Sequence, residues 1–187
     1  MGRFYDHIPE QLVEWLVAQP VFFVATAPLG DHGHVNLSPK GGDTFRVLDA
    51  STVAYLDLTG SGAETTAHLR ENGRLTIMFC AFDGKPNIVR LFGQGRTVLP
   101  GHADFDDLAA RFPTNPGTRG VVHLAVEKVG SSCGYAVPLM QLVDPRTTLD
   151  EWAERKSPDE LTAYRATKNA TSIDGLPAFD PAGAGHE

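Results

Sequence analysis

The chain has 187 residues, of which 42% are hydrophobic and 21% charged, and carries a formal net charge of −7 at pH 7. That size and composition fit a single globular unit with a core of its own. The acidic balance argues against nucleic acid as a partner, since a phosphate backbone needs a basic face, but leaves room for one local basic pocket. No apolar run approaches the ~20 residues of a membrane span, so no membrane role is expected. Residues 1–10 are polar and partly acidic, unlike a secretion signal. Cys80 and Cys133 lie in separate segments without metal-ligand spacing, which predicts free thiols in a reducing, cytoplasmic setting.

The first element in chain order is a helix over 9–18, with Leu12, Val13, Leu16 and Val17 on one stripe and Pro20 ending it. Residues 21–27 are strongly apolar and read as a buried strand. After a turn at 30–33, residues 35–40 form a second strand, broken by Gly41-Gly42. Residues 52–58 make a third strand and 63–71 a helix, which Asn72-Gly73 stops in left-handed geometry. Strands follow over 74–82 and 87–99, the second with Gly93 and Gly95 marking a bend or bulge. A helix over 103–112 and a Pro/Gly-rich loop precede the sixth strand, 120–129. Residues 149–156 and 158–168 read as charged helices, and the tail from Pro177 as disordered. Six closely spaced strands with few helices argue against a doubly wound fold. They predict a mainly β, antiparallel barrel over 1–140, with a helical extension and flexible tail over 141–187.

Alternation on the second strand puts Val35, Leu37 and Pro39 on one face and Asn36, Ser38 and Lys40 on the other. The polar face offers an amide, a hydroxyl and an ammonium to a ligand; it reads equally well as a solvated outer face. Residues 59–66 form a Gly/Ser/Thr-rich turn that opens a helix, where unpaired N–H groups and hydroxyls suit a phosphate. Ser61 and Glu64 also have capping-box spacing, which needs no ligand. Neither GxGxxG nor a triphosphate loop is present. Arg90 sits among apolar residues on the fifth strand, where a guanidinium needs an anion or a carboxylate. The small-residue loop 131–138 carries Cys133 and Tyr135; a single cysteine without a His/Asp neighbour is more simply a small apolar residue than a nucleophile. The seven histidines show no metal spacing.

Three stretches carry a resemblance to a known family: residues 34–41 (HVNLSPKG), 55–79, and 88–95 (IVRLFGQG). In this order, with the strand at 21–27, the chain resembles the pyridoxamine 5'-phosphate oxidase-like, FMN-binding split-barrel family over roughly residues 10 to 130. The resemblance implies a six-stranded Greek-key split barrel that forms a homodimer with FMN in a groove between subunits. Carried over by position, it implies Ser38, Lys40, Ser61, Thr65 and Thr66 at the phosphate. It implies Asn36, Leu37, Asp57 and Thr59 near the flavin ring, and Arg90 reaching the ring or the phosphate. Cys133, Tyr135 and Trp152 are candidates for the substrate side. The family's oxidases carry Ser-Arg-Lys where this chain has Glu64-Thr65-Thr66, and no substrate-binding C-terminal arginine segment is evident. The implied function is therefore an FMN-dependent oxidoreductase acting on a small molecule other than the B6 vitamer. The alternatives are a non-catalytic flavin-binding or redox-sensing protein, or a deazaflavin- or haem-binding relative.

Overall fold

A computed structural model describes residues 2–179. The strongly apolar stretches form a continuous antiparallel sheet. Its strands are β1 (Arg3–Tyr5), β2 (Val21–Thr26), β3 (Asn36–Gly41), β4 (Phe45–Asp49), β5 (Thr52–Leu58), β6 (Arg74–Cys80), β7 (Ile88–Val98) and β8 (Thr118–Ser132). The helices are α1 (Glu10–Val17), α2 (Glu64–Asn72), α3 (Phe105–Ala109), α4 (Thr148–Glu154) and α5 (Pro158–Lys168). Strand order along the sheet is β3-β2-β6-β7-β8-β5-β4, with β1 added beside β8. The expected mainly β split barrel is present, built on eight strands rather than six. The additional two are short: β1 pairs three residues with Ser131–Val129, and β4 pairs with β5.

The two ends of the sheet path, β3 and β4, are consecutive in sequence, so the sheet must curl until its ends meet. Just ahead of β4, the Thr44 carbonyl accepts from the Leu56 N–H of β5 at 2.8 Å, which extends the β4·β5 pairing. The inner face carries the core: Phe22 and Val24, Ile77 and Phe79, Val89 and Leu91, Val122 and Leu124 are all nearly or wholly buried. Phe22, Phe45, Tyr55 and Phe79 interlock with ring centroids 4.9 to 5.6 Å apart. Edge-on and offset contacts of this kind add to the stabilisation from burial alone.

The glycine readings hold where geometry demands them. Gly73 closes α2 at φ 71°, a conformation costly for any residue with a Cβ. The β7·β8 register shifts between Phe92 and Gly93, and a Cβ on Gly93 would stand 1.9 Å from the Ala125 carbonyl oxygen. The helix expected over 103–112 is shorter, limited to Phe105–Ala109. The expected Ser61–Glu64 capping box does not form. Ala63 is the N-cap residue, without a side-chain cap, and the Glu64 carboxylate instead accepts from the Ala63 N–H at 3.0 Å. A capping box does form at Ser157–Glu160, ahead of Pro158, and starts α5.

The C-terminal extension turns back onto the barrel. Trp152 and Tyr164 pack edge to face at 5.2 Å and brace α4 against α5. Ala178 and Phe179 are buried against Ala63 and Ala67 of α2, so the start of the tail expected to be disordered is packed. The remainder of that expectation falls on residues 180–187, which lie outside the described residues.

Candidate functional site

The gap between β3 and β5 is a groove of about 330 Å3. Ser38, Pro39, Lys40 and Gly41 of β3 form one wall, and Leu56 and Leu58 of β5 the other. Gly60, Gly62, Glu64 and Thr65 cross one end, and Thr44, Arg119 and Leu149 complete the lining. Asn36, Ser38 and Lys40 share the inward side of β3 with Phe22, Val24 and Thr26 of β2, their direct partners in register. The polar face is thus half-buried at the groove, while Leu37 on the other face is 63% exposed.

Charge in the groove centres on Asp57, 3% exposed at the end of β5. Its carboxylate accepts from Lys40 Nζ at 3.1 Å and from Arg119 Nε at 2.7 Å. Burial alone would push this carboxyl up; Lys40 and Arg119 together outweigh burial and hold it below the usual carboxylate range. Lys40 also stands 5.7 Å from the centre of the wholly buried Tyr55 ring, a cation–π contact with the core. The Tyr55 hydroxyl is buried without a hydrogen-bond partner among the described residues. Burial, and next the Asp57 charge, push it well above the ordinary phenol value, so it remains a neutral donor.

Arg119 is the functional candidate that sequence reasoning missed. In the β5·β8 register Asp57 pairs with Gly120 and Leu58 with Thr118, so Arg119 is the extra residue of a β-bulge. A bulge re-aims a side chain, and this one turns a guanidinium inward. Arg119 is 6% exposed and donates to the Gly62 carbonyl at 2.8 Å and the Gly60 carbonyl at 3.4 Å as well as to Asp57. The Phe179 ring stacks over it at 4.6 Å. The available signal was an arginine in Thr118-Arg119-Gly120, directly before a long apolar strand.

A polar network braces the wall behind the groove. Ser38 donates to Asn36 Oδ1 at 2.9 Å, and Asn36 Nδ2 donates to Thr65 at 3.1 Å and Thr26 at 3.3 Å. Thr26 is hydrogen-bonded to His68 Nδ1 at 2.9 Å. Burial lowers the His68 pKa in spite of Asp174, Glu64 and Glu71, which favours a neutral ring. At the turn, the N–H groups of Ser61, Gly62, Thr65 and Thr66 have no acceptor among the described residues. They are the orphan donors expected where a helix begins.

Of the sequence-predicted residues, Ser38, Lys40 and Thr65 line the groove, Ser61 lies in the exposed turn at its end, and Asn36 orients Ser38 and Thr65. Asp57 and Thr59 are buried beneath it. Thr59 Oγ1 donates to the Gly117 carbonyl and accepts from Arg165, which commits it structurally. The Thr66 hydroxyl pairs with Thr97, leaving only its N–H at the turn. Leu37 and Arg90 project from the outer face of the sheet, away from this groove. Arg90 is half-buried there, opposite Met78 and Gly130 in register, and its one side-chain hydrogen bond among the described residues is a 3.3 Å contact to Ser132. Trp152 belongs to the α4–α5 brace, while Cys133 and Tyr135 are exposed in the loop after β8.

Residues 8–133, which span β2 to β8 and the groove's polar strand and turn, match the family model of pyridoxamine 5'-phosphate oxidase. The chain belongs to the pyridoxamine 5'-phosphate oxidase family. It is 41% identical to the pyridoxamine 5'-phosphate oxidase family protein ustO of Aspergillus flavus, over 97% of this chain and 80% of that one. Among solved structures it resembles a HupZ variant of Group A Streptococcus, with a TM-score of 0.52 and 22% identity over 67% of this chain and 99% of that one. A putative pyridoxamine 5'-phosphate oxidase of Lactobacillus delbrueckii gives a TM-score of 0.50 and 21% identity, over 67% and 94%. At these identities the two structures speak for the fold alone. Among the described residues of this family member, no helix is long and apolar enough to cross a membrane.

Proposed function

We propose that this chain binds FMN in the β3–β5 groove and serves as an FMN-dependent oxidoreductase acting on a small molecule. The observation that carries this reading is that Ser38, Lys40 and Thr65 line the groove beside a turn whose Ser61, Gly62, Thr65 and Thr66 N–H groups have no acceptor among the described residues. Hydroxyls, an ammonium and a helix start are the donor set a phosphate monoester needs. Three cations (Lys40, Arg119, Arg165) face two carboxylates (Asp57, Glu64), a local surplus of one positive charge for the incoming dianion. Bound FMN would supply the electron-transfer chemistry. The chain's own residues hold the phosphate, orient Ser38 and Thr65 through Asn36, and hold Lys40 beside Asp57.

The outer face supports a homodimer with the cofactor at the interface. Leu37, Pro39 and Phe4 are exposed on the same face of the sheet as Arg90, which makes no ion pair among the described residues. In such a dimer Leu37 and Arg90 serve the partner's flavin rather than their own. The unpaired thiols of Cys80 and Cys133 agree with a reducing, cytoplasmic setting.

The visible spectrum of the purified protein tests the cofactor. Flavin bands, and FMN released on denaturation, support the reading; a colourless protein that takes up no added FMN refutes it. Sedimentation reads the dimer. The second reading is a flavin-binding protein without turnover, favoured by the commitment of the groove's two carboxylates, Asp57 to Lys40 and Arg119 and Glu64 to the Ala63 and Ile173 N–H groups. Bleaching by NAD(P)H followed by reoxidation in air separates enzyme from carrier.

A further inference from the structure

Three residues distant in sequence from the 59–62 turn grip it. Asn169, the C-cap of α5, donates through Nδ2 to the Gly60 carbonyl at 2.8 Å and the Ser61 carbonyl at 3.4 Å. Arg165, one turn earlier, donates to Thr59 Oγ1 at 2.9 Å and to the Thr118 carbonyl at 3.0 Å, at the base of the turn. Arg119 takes the Gly62 carbonyl. Every carbonyl of the Gly60-Ser61-Gly62 run therefore accepts from a side chain remote in sequence, those of Gly60 and Ser61 both from Asn169.

A trans peptide is planar, with its C=O and the following N–H pointing in opposite directions. Fixing the Gly60 oxygen fixes the Ser61 N–H, and fixing the Ser61 oxygen fixes the Gly62 N–H. Both donors are then turned onto the side of the turn away from the Asn169 amide. Ser61 and Gly62 are exposed there, next to Thr65 at the end of the groove.

Asn169 is wholly buried, and its Oδ1 has no partner among the described residues. A buried, unpaired carbonyl oxygen is destabilising, and an apolar residue of similar volume would pack there at lower cost. What Asn169 contributes is its two-headed grip on the turn.

We infer that Asn169 and Arg165 are positioning residues for phosphate recognition, so that the C-terminal segment completes the cofactor site of its own chain. This inference rests on the phosphate reading above. It assigns to 148–179 a role in ligand binding that sequence left open between structure and tail. Neither residue touches the ligand; both act through the backbone of 59–62.

The test compares FMN with riboflavin, which carries the same ring without the phosphate, by titration of the full-length protein. Asn169→Ala is expected to weaken FMN about tenfold and riboflavin less than about twofold. A role confined to folding would move both ligands alike or only the melting temperature. Arg165→Lys is the second variant. It keeps the positive charge but loses the planar fork, and is expected to lower the FMN-to-riboflavin ratio in the same direction. If Asn169→Ala does not fold, Arg165→Lys decides. Wild-type preference for FMN with an unchanged ratio in the folded variants overturns this inference and leaves the phosphate site standing. A wild type that binds both ligands equally overturns the phosphate reading and this inference with it.

Discussion

Replacing Asp57 by asparagine removes the one carboxylate that Lys40 and Arg119 share. At an effective dielectric of about 20, each unit-charge pair near 3 Å is worth ~5 kcal/mol of attraction. Most of that cancels against dehydrating the ions, several kcal/mol apiece. What the substitution exposes is the imbalance left behind. Lys40 is 23% exposed and can turn its ammonium to water, whereas Arg119, at 6%, is left facing an amide in a buried bulge. Breaking a buried pair from one side costs about 3–5 kcal/mol, and the partial exposure of Lys40 puts this case at about 3 kcal/mol. Urea unfolding at pH 7 measures it. The pH dependence gives a second readout. The folded-state pKa of Asp57 is lowered, so its contribution is fully present above the unfolded value of about 3.9 and is lost as pH falls through the folded one. The stability gap between wild type and Asp57→Asn should be flat from about pH 8 to 5 and close only below about 4. A gap under about 1 kcal/mol at pH 7, or one that closes between pH 8 and 6, would refute the assignment of a charged Asp57 held by two cations.

Lys40→Ala should weaken FMN by ~1.5–3 kcal/mol, the value of a charge-assisted bond, in a titration followed by flavin fluorescence; unchanged affinity would place the phosphate elsewhere. Gly93→Ala drives a Cβ to 1.9 Å from the Ala125 carbonyl oxygen, so thermal melts should show a loss of about 3 kcal/mol or no folded protein. His68 has a lowered folded pKa, so the unfolded chain binds the extra proton and stability falls as pH drops through about 6.5. His68→Asn, which keeps an acceptor near Thr26, should flatten that part of the stability–pH curve; an unchanged slope would show that the ring is already protonated or already free.

Much of the fold was legible because its signals are local. The apolar runs at 21–27 and 74–82 form β2 and β6, Asn72-Gly73 ends α2, and Gly93 marks a bulge. The short strands were not. Phe45-Arg46-Val47-Leu48-Asp49 has no clean alternation, and Arg3–Tyr5 becomes a strand only because the edge of β8 accepts it. Alternation correctly grouped Asn36, Ser38 and Lys40 on one face of β3. It is silent on which face points inward, since that depends on where β3 falls in the sheet. As an end strand across an open split, β3 can turn its polar side in and leave Leu37 outside. Arg119 was hidden for a related reason: its direction is set by a bulge, where two residues on β8 oppose one step of β5, and period 2 fails there. The Ser61–Glu64 spacing suited a capping box, but Asn169 and Arg119 already fix the carbonyls around Ser61. Tertiary contacts from more than 50 residues away in sequence thus override a local pattern.

The donor inventory divides the work between the two groove cations. Of the five N–H bonds of Arg119, four are directed at Asp57, Gly60 and Gly62, so one remains for any ligand. Of the three on Lys40, one is directed at Asp57 and two remain. Lys40 can therefore keep its carboxylate and take an anion together, and its partial exposure lets it adjust. Arg119 cannot move without releasing the turn. The same Asp57 that fixes the guanidinium as architecture also holds the ammonium in the groove with donors to spare. Loss of Arg119 should thus register first in stability, and loss of Lys40 first in affinity.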